Sequence, residues 1–513
     1  MPNNTLLILD LNKNYDLVEK KTKFICLNKG IIKLENCQQI FLKKFNYEKK
    51  NIYKKILSKL LKIILINKNN EVPLVELEIN NLRNDRYNFI DRIINLSLIK
   101  KIILSKGFKK IKIISDNKNT INLYDKLKIK IEKIDLSKKE NKVKFFKFKL
   151  IKFYIKTLAI VLFLKFKKND YVNIKNKEFY FSIYPNKFNY RKKNIDNENI
   201  FNFLLTDETH LNHSIFQIFK IIKKQNKKKT INVENFISIK HLICLIFKTL
   251  FFKKNNNLEI CDFDIDNLNF NNEIKQLYIK TYLNRLKLSI YDNAITLVFK
   301  KFNVKNFHMY LFEYCFGFYL INKIKNFSNK VNIIGYQHGI FSENLYWFDI
   351  LRQVRSNNNY FPTKILASNP YSARDYKKKL RKFLISISNK NDLKKNILSQ
   401  EIKISKNSNN IIILPGTHDI SDLYYFYINL YRHSKKKIFF KLHPKNQFIF
   451  KNLKNIYQIK NHKNNYFSDV VISQTSSLVY DFLKINKKFS VVNIDYRSNL
   501  LNKKILKKTK VIS

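Results

Sequence analysis

Short apolar runs alternate with stretches of helical periodicity along the C-terminal part of the chain. The runs are rich in β-branched and aromatic residues, and most of them end in a polar or proline-containing turn. Such an alternation predicts a parallel sheet with helices on both faces. The predicted strands are residues 364–368, 411–414, 437–442, 469–472 and 489–494, and a predicted helix spans residues 420–433.

The N-terminal part shows the same alternation in a less regular form. Strands are predicted at residues 5–11, 22–26, 109–115, 178–184 and 307–314, helices at 53–66 and 86–105, and a largely helical stretch from about 210 to 302. We therefore predict an α/β fold of two Rossmann-like, doubly wound domains with a helical insertion in the N-terminal half. The predicted divisions are a Rossmann-like segment at 1–140, a basic helix or linker at 141–175, the remainder of the N-terminal domain at 176–358 and a C-terminal domain at 359–513.

Lysines recur at helical spacing among large apolar residues between positions 145 and 168. Lys149, Lys152 and Lys156 alternate there with residues such as Phe153 and Leu162. This pattern fits a basic amphipathic helix that lies on a membrane, and it also fits a core helix whose lysines extend outward to solvent. The segment 241–254 presents the same two alternatives. No apolar run in the sequence approaches the length of a membrane span.

Lysine supplies most of the unusual charge of the chain. The 513 residues are 45% apolar and carry a formal net charge of +60, from 88 Lys and 11 Arg against 39 acidic residues. Asn, Ile, Phe and Tyr are abundant alongside Lys, as A/T-rich codons would produce, so much of the charge is expected on solvated faces. Arginine, which suits bidentate phosphate and base contacts, is not enriched. We therefore expect affinity for anionic lipid but no specific nucleic-acid partner.

Cysteine usage and the first residues bear on the compartment. The five cysteines are scattered and form no CxxC pair, which is typical of a reducing cytosol and predicts no zinc site. The first residues lack the basic and apolar regions of a signal peptide. We therefore expect a cytoplasmic protein.

Two glycines bracket a histidine at the end of an apolar run. The sequence Gly335-Tyr-Gln337-His338-Gly339 follows a β-branched stretch, in a chain that contains only six glycines. Such a pair suggests a backbone that turns tightly or approaches a ligand closely. The alternative is an ordinary turn after a strand with a solvated histidine.

Polar residues also follow the predicted C-terminal strands. In doubly wound sheets ligands bind beyond the carboxyl ends of the strands, so these residues are expected to converge. The run of hydroxyls that opens a helix offers an anion site, since free backbone N–H groups and the helix dipole favour negative charge there. The candidates are Gly416, Thr417, His418, His443, Pro444, Thr475, Ser476 and Ser477.

Three acids are candidates for a general base. Asp207 and Glu208 follow an apolar run, where they can deprotonate a substrate or cap the next helix. Glu313 falls near the end of a predicted strand, where α/β sheets place residues that contact ligands.

The order of these motifs resembles the cytoplasmic surface-polysaccharide glycosyltransferases. That group includes the capsule Kdo and polysialic acid transferases and the CDP-glycerol glycerophosphotransferases. The resemblance rests on Gly335 to Gly339, then Lys441-Leu-His443-Pro444, then Asp469 through Thr475-Ser476-Ser477 with an amphipathic helix, and it covers roughly residues 331–494. The first 330 residues match none of the family's motifs.

The resemblance implies a GT-B fold, in which two Rossmann-like domains face each other across a cleft. It also implies transfer of a sugar or polyol phosphate from a nucleotide-activated donor, CMP- or CDP-linked, to a glycan or lipid-linked acceptor. His443, Ser476 and Ser477 would bind the donor's phosphate, and His338 would lie across the cleft. Asp207-Glu208 matches the acidic general-base motif of the sialyltransferases only in blurred form. The enzyme would act in capsule assembly at the inner face of the cytoplasmic membrane.

Absent motifs narrow the chemistry further. The sequence has no clear Asp-x-Asp, so we expect no obligatory metal, and no P-loop or GxGxxG, so we expect no cofactor beyond the donor substrate. Two other functions compete with a transferase: a basic nucleic-acid-binding protein, in which Tyr and Phe would stack on bases, and an inactive GT-B scaffold.

Overall fold

Three parallel sheets organise the described part of the chain. The structure is a computed structural model. It describes residues 5–11, 19–20, 22–27, 34–35, 37–66, 89–137, 142–167, 177–183, 198–205, 213–225, 229–251, 262–310, 312–337, 339–342, 344–345, 349, 357–381, 383, 385–389, 397–416, 419–431, 435–442, 455–459, 465–492, 500–501, 503–506 and 509–512.

The first sheet has five parallel strands in the order β5-β3-β1-β6-β7. Its central strand β1 is an apolar run whose side chains are almost all buried, as expected for a strand covered on both faces. The elements of this region are β1 (Thr5–Asp10), β2 (Glu19–Lys20), β3 (Lys23–Cys26), β4 (Leu34–Glu35), β5 (Gln38–Gln39), α1 (Asn46–Ile66), α2 (Phe89–Ser105), β6 (Lys110–Ser115), α3 (Lys118–Ile121) and β7 (Lys130–Asp135).

The second sheet has seven parallel strands in the order β10-β9-β8-β13-β14-β15-β16. The long helix α4 (Lys142–Phe166) precedes it. The elements are β8 (Glu178–Ser182), β9 (Asn199–Asn202), α5 (Ile215–Lys224), β10 (Thr230–Asn232), α6 (Ile239–Leu250), β11 (Asp264–Ile265), β12 (Leu268–Asn269), α7 (Asn271–Leu288), α8 (Asp292–Phe302), β13 (Asn306–Tyr310), α9 (Cys315–Phe327), β14 (Asn332–Tyr336), β15 (Lys364–Ala367), α10 (Pro370–Leu380) and β16 (Ser386–Asn389).

The third sheet has six parallel strands in the order β20-β19-β18-β22-β23-β24. Along β18, alternate residues enter two different apolar clusters, one on each face of the sheet. The elements are α11 (Ile397–Glu401), β17 (Lys403–Ile404), β18 (Asn410–Leu414), α12 (Ile420–Tyr431), β19 (Lys437–Phe440), β20 (Ile456–Gln458), β21 (Tyr466–Phe467), β22 (Asp469–Ser473), α13 (Leu478–Lys484), β23 (Ser490–Val492), α14 (Lys503–Leu506) and β24 (Lys510–Ile512).

All three sheets share the strand order of a doubly wound fold. In each, the strands in chain order are arranged third, second, first, fourth, fifth, with further strands added outside the fifth in the second and third sheets. This order reverses direction between β1 and β6, between β8 and β13, and between β18 and β22. Ligands of doubly wound proteins bind at such switch points, beyond the carboxyl ends of the strands. The predicted α/β class with parallel sheets flanked by helices is confirmed.

The grouping of strands differs from the prediction in two places. The strand expected to open the C-terminal domain, β15, pairs with β14 and therefore belongs to the second sheet. Residues 5–135 form a sheet of their own instead of sharing one with residues 178–389, although one apolar cluster spans both sheets. A strand pattern is local, whereas the choice of pairing partner depends on the packing of distant segments. The pattern therefore could not assign β15 or the strands of residues 5–135 to their sheets.

The expected basic helix is present as α4, a helix of 25 residues. One side of it is buried in the apolar cluster, with Tyr154, Val161 and Leu164 among its members. Over the residues that the structure describes, no helix combines the length and the apolar character needed to cross a membrane.

Candidate functional site

At the switch point of the third sheet, a buried aspartate closes the turn between two strand ends. Asp419 is 2% exposed. Its Oδ1 accepts a hydrogen bond from the backbone N–H of Gly416 at 2.9 Å, and its Oδ2 accepts one from Thr475 Oγ1 at 2.9 Å. Ser473 Oγ donates to the same Oδ2. The loop after β18 is therefore tied to the loop after β22 through one carboxylate.

Gly416 is required by this close approach. A Cβ atom at that position would lie 1.9 Å from Thr475 Oγ1, far inside van der Waals contact. The sequence placed Gly416 and Thr475 among donor-binding residues. The structure brings them together, and the hydroxyl of Thr475 is engaged with Asp419 and, at 2.9 Å, with Ser473 Oγ.

The two serines that follow are placed differently from Thr475. Among the described residues, Ser476 Oγ accepts one long bond of 3.4 Å from the backbone N–H of Leu478, and Ser477 is exposed and makes no side-chain capping bond to α13. Helix α13 has seven residues, so its dipole is short. Of the predicted hydroxyl run, Ser476 and Ser477 are the hydroxyls available to a ligand.

The end of β14 is shaped by packing within the second sheet. A Cβ at Gly335 would lie 2.6 Å from Pro362 Cγ and 2.8 Å from Phe312 Cδ1, so the close approach inferred from this glycine is to side chains of the protein. A Cβ at Gly339 would meet nothing within 4 Å. The sequence predicted a close approach to the backbone at Gly335, and the structure has one. The groups that approach it are apolar side chains of the protein and not a ligand.

Gln337 is buried, and its amide is fully used inside the second sheet. Its Oε1 accepts from the backbone N–H of Ser368 at 2.9 Å, and its Nε2 donates to Gly339 O at 2.7 Å and to Ser372 Oγ at 3.0 Å. These bonds join the ends of β14 and β15 to the start of α10. Gln337 thus fixes the direction in which the chain leaves β14.

Glu313 is the predicted base whose side chain the structure describes. It lies three residues beyond the end of β13, before α9, and is 2% exposed. The hydroxyl of Tyr376 donates to Glu313 Oε1, and the Tyr376 ring stacks on Phe341 with ring centroids 3.6 Å apart. Burial raises the pKa of the Tyr480 hydroxyl, and the charges of Asp375 and Glu313 raise it further. Through Tyr376 and Phe341, Glu313 is linked to Tyr480 on helix α13 of the third sheet.

The segment after β14 joins the second and third sheets. Tyr480 OH on α13 donates to Phe341 O at 3.1 Å. Asn344 Nδ2 donates to Leu501 O at 2.9 Å, and Ser342 Oγ donates to Leu500 O. Ile340 packs in the apolar cluster of the third sheet. Phe341 follows the carboxyl end of β14, and Gln474, the residue after β22, accepts a hydrogen bond from the backbone N–H of Leu500 at 3.0 Å, so these contacts join the loops beyond the carboxyl ends of the two strands.

Several predicted site residues lie outside the described residues. They are Asp207, Glu208, His338, Thr417, His418, His443 and Pro444. Within the described ranges, no group of three or more His, Cys, Asp or Glu side chains is arranged to hold a metal ion.

The switch point of the first sheet holds a polar cluster that sequence reasoning missed. Asp10, at the end of β1, is 0% exposed and accepts from both terminal nitrogens of Arg92, at 2.8 and 2.6 Å. Thr120 Oγ1 and Ser115 Oγ donate to the same carboxylate at 2.5 and 3.1 Å. Burial raises the pKa of nearby Glu273, and the positive charge of Arg92 partly offsets this rise. The available signal was the acid that ends the apolar run of β1.

A second missed acid lies at the edge of the second sheet. Glu234 is fully buried, and its Oε1 accepts from the backbone N–H groups of Leu204 and Leu205, at 2.6 and 3.3 Å, and from the hydroxyl of Tyr291. Its Oε2 is buried without a hydrogen-bond partner among the described residues. Burial raises the pKa of Glu234 to about 7. Nothing in the local sequence marked this residue.

Comparison with protein-family models, with curated proteins and with solved structures found no match to this chain. The class defined by the structure is therefore an α/β protein of parallel, Rossmann-like sheets flanked by helices, whose second and third sheets meet at their carboxyl edges.

Proposed function

We propose that this chain is a GT-B glycosyltransferase. It moves a sugar or a polyol phosphate from a nucleotide-activated donor, CMP- or CDP-linked, to a growing cell-surface polysaccharide or a lipid-linked acceptor at the cytoplasmic face of the membrane. The motifs between residues 331 and 494 supply the family resemblance, and no cofactor other than the donor is invoked.

The observation that carries the proposal is the meeting of two doubly wound sheets at their carboxyl edges. The bonds from Tyr480 to Phe341 and from Asn344 to Leu501 hold the end of β14 against the loops of the third sheet. Each sheet of this type binds ligands at that edge, so two adjoining edges suit a reaction between a donor and an acceptor. A GT-B enzyme binds its donor and acceptor between two such edges.

The proposed reaction assigns a role to each group. For sugar transfer, the acceptor hydroxyl oxygen attacks the anomeric carbon, the bond from that carbon to the donor phosphate breaks, and its electron pair leaves with the nucleotide. The hydroxyl proton passes to a base, for which His338 and Glu313 are the candidates. Ser476, Ser477 and His443 bind the departing phosphate.

One observation favours an inactive scaffold as the second candidate. Thr475, Gln337 and Glu313 were expected to face substrates, yet each makes hydrogen bonds within the protein. In a scaffold without activity such groups would serve only to stabilise the loops. The two candidates differ in whether a nucleotide binds.

A thermal-shift screen against CMP, CDP, UDP, GDP and ADP separates them. A nucleotide that binds only the native state raises the melting temperature by mass action. We expect one nucleotide to do so, and the shift to disappear in Ser476→Ala/Ser477→Ala and in His443→Ala. Ser58→Ala, an exposed serine on α1, is the matched control and should keep the shift. No shift with any nucleotide would favour the scaffold.

A transfer assay tests the chemistry itself. With the nucleotide identified, the corresponding sugar donors are supplied with lipid-linked acceptors, and release of the nucleotide is measured. The His338→Ala/His443→Ala double variant should lose transfer. Transfer at the wild-type rate by that variant would overturn the proposal.

A further inference from the structure

Helix α4 packs against both α5 and α6. Tyr154 of α4 donates a hydrogen bond to the carbonyl oxygen of Leu286 on α7 at 2.8 Å. Phe163 of α4 stacks on Phe219 of α5 with ring centroids 4.0 Å apart. Tyr154 and Phe163 are nine residues apart, which at about 100° per residue places them on opposite flanks of α4. Helix α4 therefore contacts α5 on the flank opposite Tyr154.

The side of α4 that faces away from the core is apolar. Phe148, Ile155 and Leu162 are seven residues apart, Phe166 follows four residues later, and all four are exposed, Phe148 by 68% and Phe166 by 85%. Residues at this spacing lie on one side of a helix, so they form a stripe about 27 Å long. That stripe is opposite the buried side, which includes Val161 and Leu164.

Helix α6, which packs against α4, also exposes apolar residues. Its buried residues Leu242, Leu245 and Thr249 lie on one side, and the opposite side exposes Ile243, Phe247 and Leu250. Phe251, just after the helix, is 75% exposed, and Phe216 of α5 is 77% exposed. We call the exposed apolar residues of α4 and α6 the outer face: Phe148, Ile155, Leu162, Phe166, Ile243, Phe247, Leu250 and Phe251. Soluble monomers rarely expose so many large apolar side chains together.

The helices that carry the outer face contain many lysines and no acid. Helices α4, α5 and α6, of 25, 10 and 12 residues, contain seven, three and two lysines and neither Asp nor Glu. Lys149, Lys152 and Lys165 are exposed on α4, and Lys240 and Lys248 on α6. A chain with 39 acids in 513 residues would place several in such a length if they were evenly spread.

We propose that the outer face of α4 and α6 docks on an anionic lipid bilayer, with the helices lying in the plane of the interface. Phe, Ile and Leu side chains would enter the boundary between headgroups and acyl chains, and the lysines beside them would lie at the level of the anionic headgroups. The sequence left two interpretations of α4 open, and both apply: its buried side is core and its exposed side is the membrane-facing surface.

The charges argue against other occupants. A second copy of the chain would meet this surface with the same lysines, because an isologous contact repeats one patch on both subunits. A nucleic acid would be bound through stacking aromatics and arginine, whereas these helices contain no arginine and expose Ile155, Leu162 and Ile243.

Co-flotation with lipid vesicles tests the proposal on the full chain. We expect binding to vesicles of phosphatidylcholine with a minority of phosphatidylglycerol, and much weaker binding to phosphatidylcholine alone. Phe148→Ser/Ile155→Ser/Phe166→Ser should weaken partition by at least about tenfold, and Phe247→Ser/Phe251→Ser should weaken it too. Leu104→Ser/Leu297→Ser, at exposed positions on α2 and α8, is the matched apolar control and should bind like the wild type.

Helix α1 provides the matched charge control. It is also rich in lysine, but among its described side chains the large exposed apolar ones, Tyr47 and Ile66, lie at its two ends, and Lys50, Lys54 and Lys62 are exposed between them. Lys149→Ser/Lys152→Ser/Lys165→Ser should weaken binding more than Lys50→Ser/Lys54→Ser/Lys62→Ser does. Equal losses in the two variants would overturn the proposal in favour of diffuse charge.

Two further outcomes would overturn it. One is undiminished flotation of the serine variants of the outer face. The other is a wild-type dimer in analytical ultracentrifugation that these variants dissociate, because a second copy would then cover the surface. The substituted side chains are exposed, so the variants are expected to fold. The lipid test is independent of nucleotide binding, and either result can be obtained without the other.

Discussion

The switch points of the first and third sheets each contain a buried aspartate, and different interactions stabilise it in the two sheets. In both, a buried aspartate lies at the carboxyl edge of a doubly wound sheet, but Asp10 is neutralised by the guanidinium of Arg92, whereas Asp419 receives hydrogen bonds from Gly416, Ser473 and Thr475. The ion pair brings a long side chain from α2 into the position where a ligand would bind. The hydroxyl network uses short side chains and leaves Ser476 and Ser477 beyond it. The comparison teaches that a shared strand order does not make two edges equivalent as binding sites.

The largest expected effect comes from breaking the ion pair of the first sheet. Arg92→Met leaves Asp10 buried without its guanidinium partner, and we expect the free energy of unfolding to fall by about 3–5 kcal/mol. Urea denaturation followed by circular dichroism measures it. The control is Lys133→Met, which removes an exposed ion pair with Asp125 and should cost less than about 1 kcal/mol. Equal costs would show that the first switch point is not held by its charge pair.

Glu234 lies between the two cases, because it is buried with N–H and O–H donors on one oxygen, whereas its other oxygen has no hydrogen-bond partner within the part of the chain that the structure describes. Its pKa is about 7 in the folded protein, against an ordinary value of 4.5. The native state therefore holds the proton more tightly than the unfolded chain does, and this contribution to stability is complete below about pH 4.5 and is lost as the pH rises to about 7. The loss amounts to about 3 kcal/mol.

Glu234→Gln measures this contribution directly. Glutamine keeps the shape of the protonated acid and does not titrate, so the difference in unfolding free energy between variant and wild type should change across that pH range. Denaturation curves at several pH values provide the measurement. A difference that is constant with pH would contradict the raised pKa.

Gly416→Ala tests the close approach in the third sheet. The new Cβ would collide with Thr475 Oγ1, and we expect a loss of about 1–3 kcal/mol in the free energy of unfolding. Gly339→Ala is the same substitution at a position where a Cβ meets nothing, and it should leave stability within about 1 kcal/mol. Thermal and urea denaturation compare them. If the two variants are equally stable, the loop after β18 can move far enough to accommodate the added methyl group.

The smallest effect on stability, and the sharpest on binding, is expected at the two serines. Ser476→Ala/Ser477→Ala should change the unfolding free energy by less than about 0.5 kcal/mol but remove the thermal shift with nucleotide. The matched pair in the first sheet, Ser115→Ala/Thr120→Ala, should lose about 1 kcal/mol per hydrogen bond and keep that shift. The reverse pattern would move the nucleotide site to the first sheet.

The strands of the third sheet were predictable because their signal is local. Residues 411–414, 437–442 and 469–472 are apolar runs that stop at polar turns, and the structure has β18, β19 and β22 there. The site was predictable only in part. Gly416 and Thr475 do meet, but their partner Asp419 was not anticipated, because a carboxylate beside a proline-glycine turn is equally common at a helix start.

Long-range contacts could not be anticipated from these patterns. Asp10 and Arg92 are 82 residues apart. Gln337 is hydrogen-bonded to Ser368, just after β15, and to Ser372 in α10, which are 31 and 35 residues further along the chain. A polar residue at a strand end has the same local sequence whether it faces a substrate or a neighbouring loop. For that reason Gln337 was assigned to a ligand although its amide is used inside the protein.

The amino-acid sequence by itself determined the α/β class, the parallel strands and the lysine-rich helix, since period-2 and period-3.6 patterns of apolar residues act within a few residues along the chain. The tertiary structure alone decided which sheet each strand joined, which acid met a cation and which side of α4 remained exposed. Helix α4 is apolar on both sides, so its pattern could not distinguish them. Burial and pairing depend on segments far apart in the sequence, and only the folded chain brings those segments together.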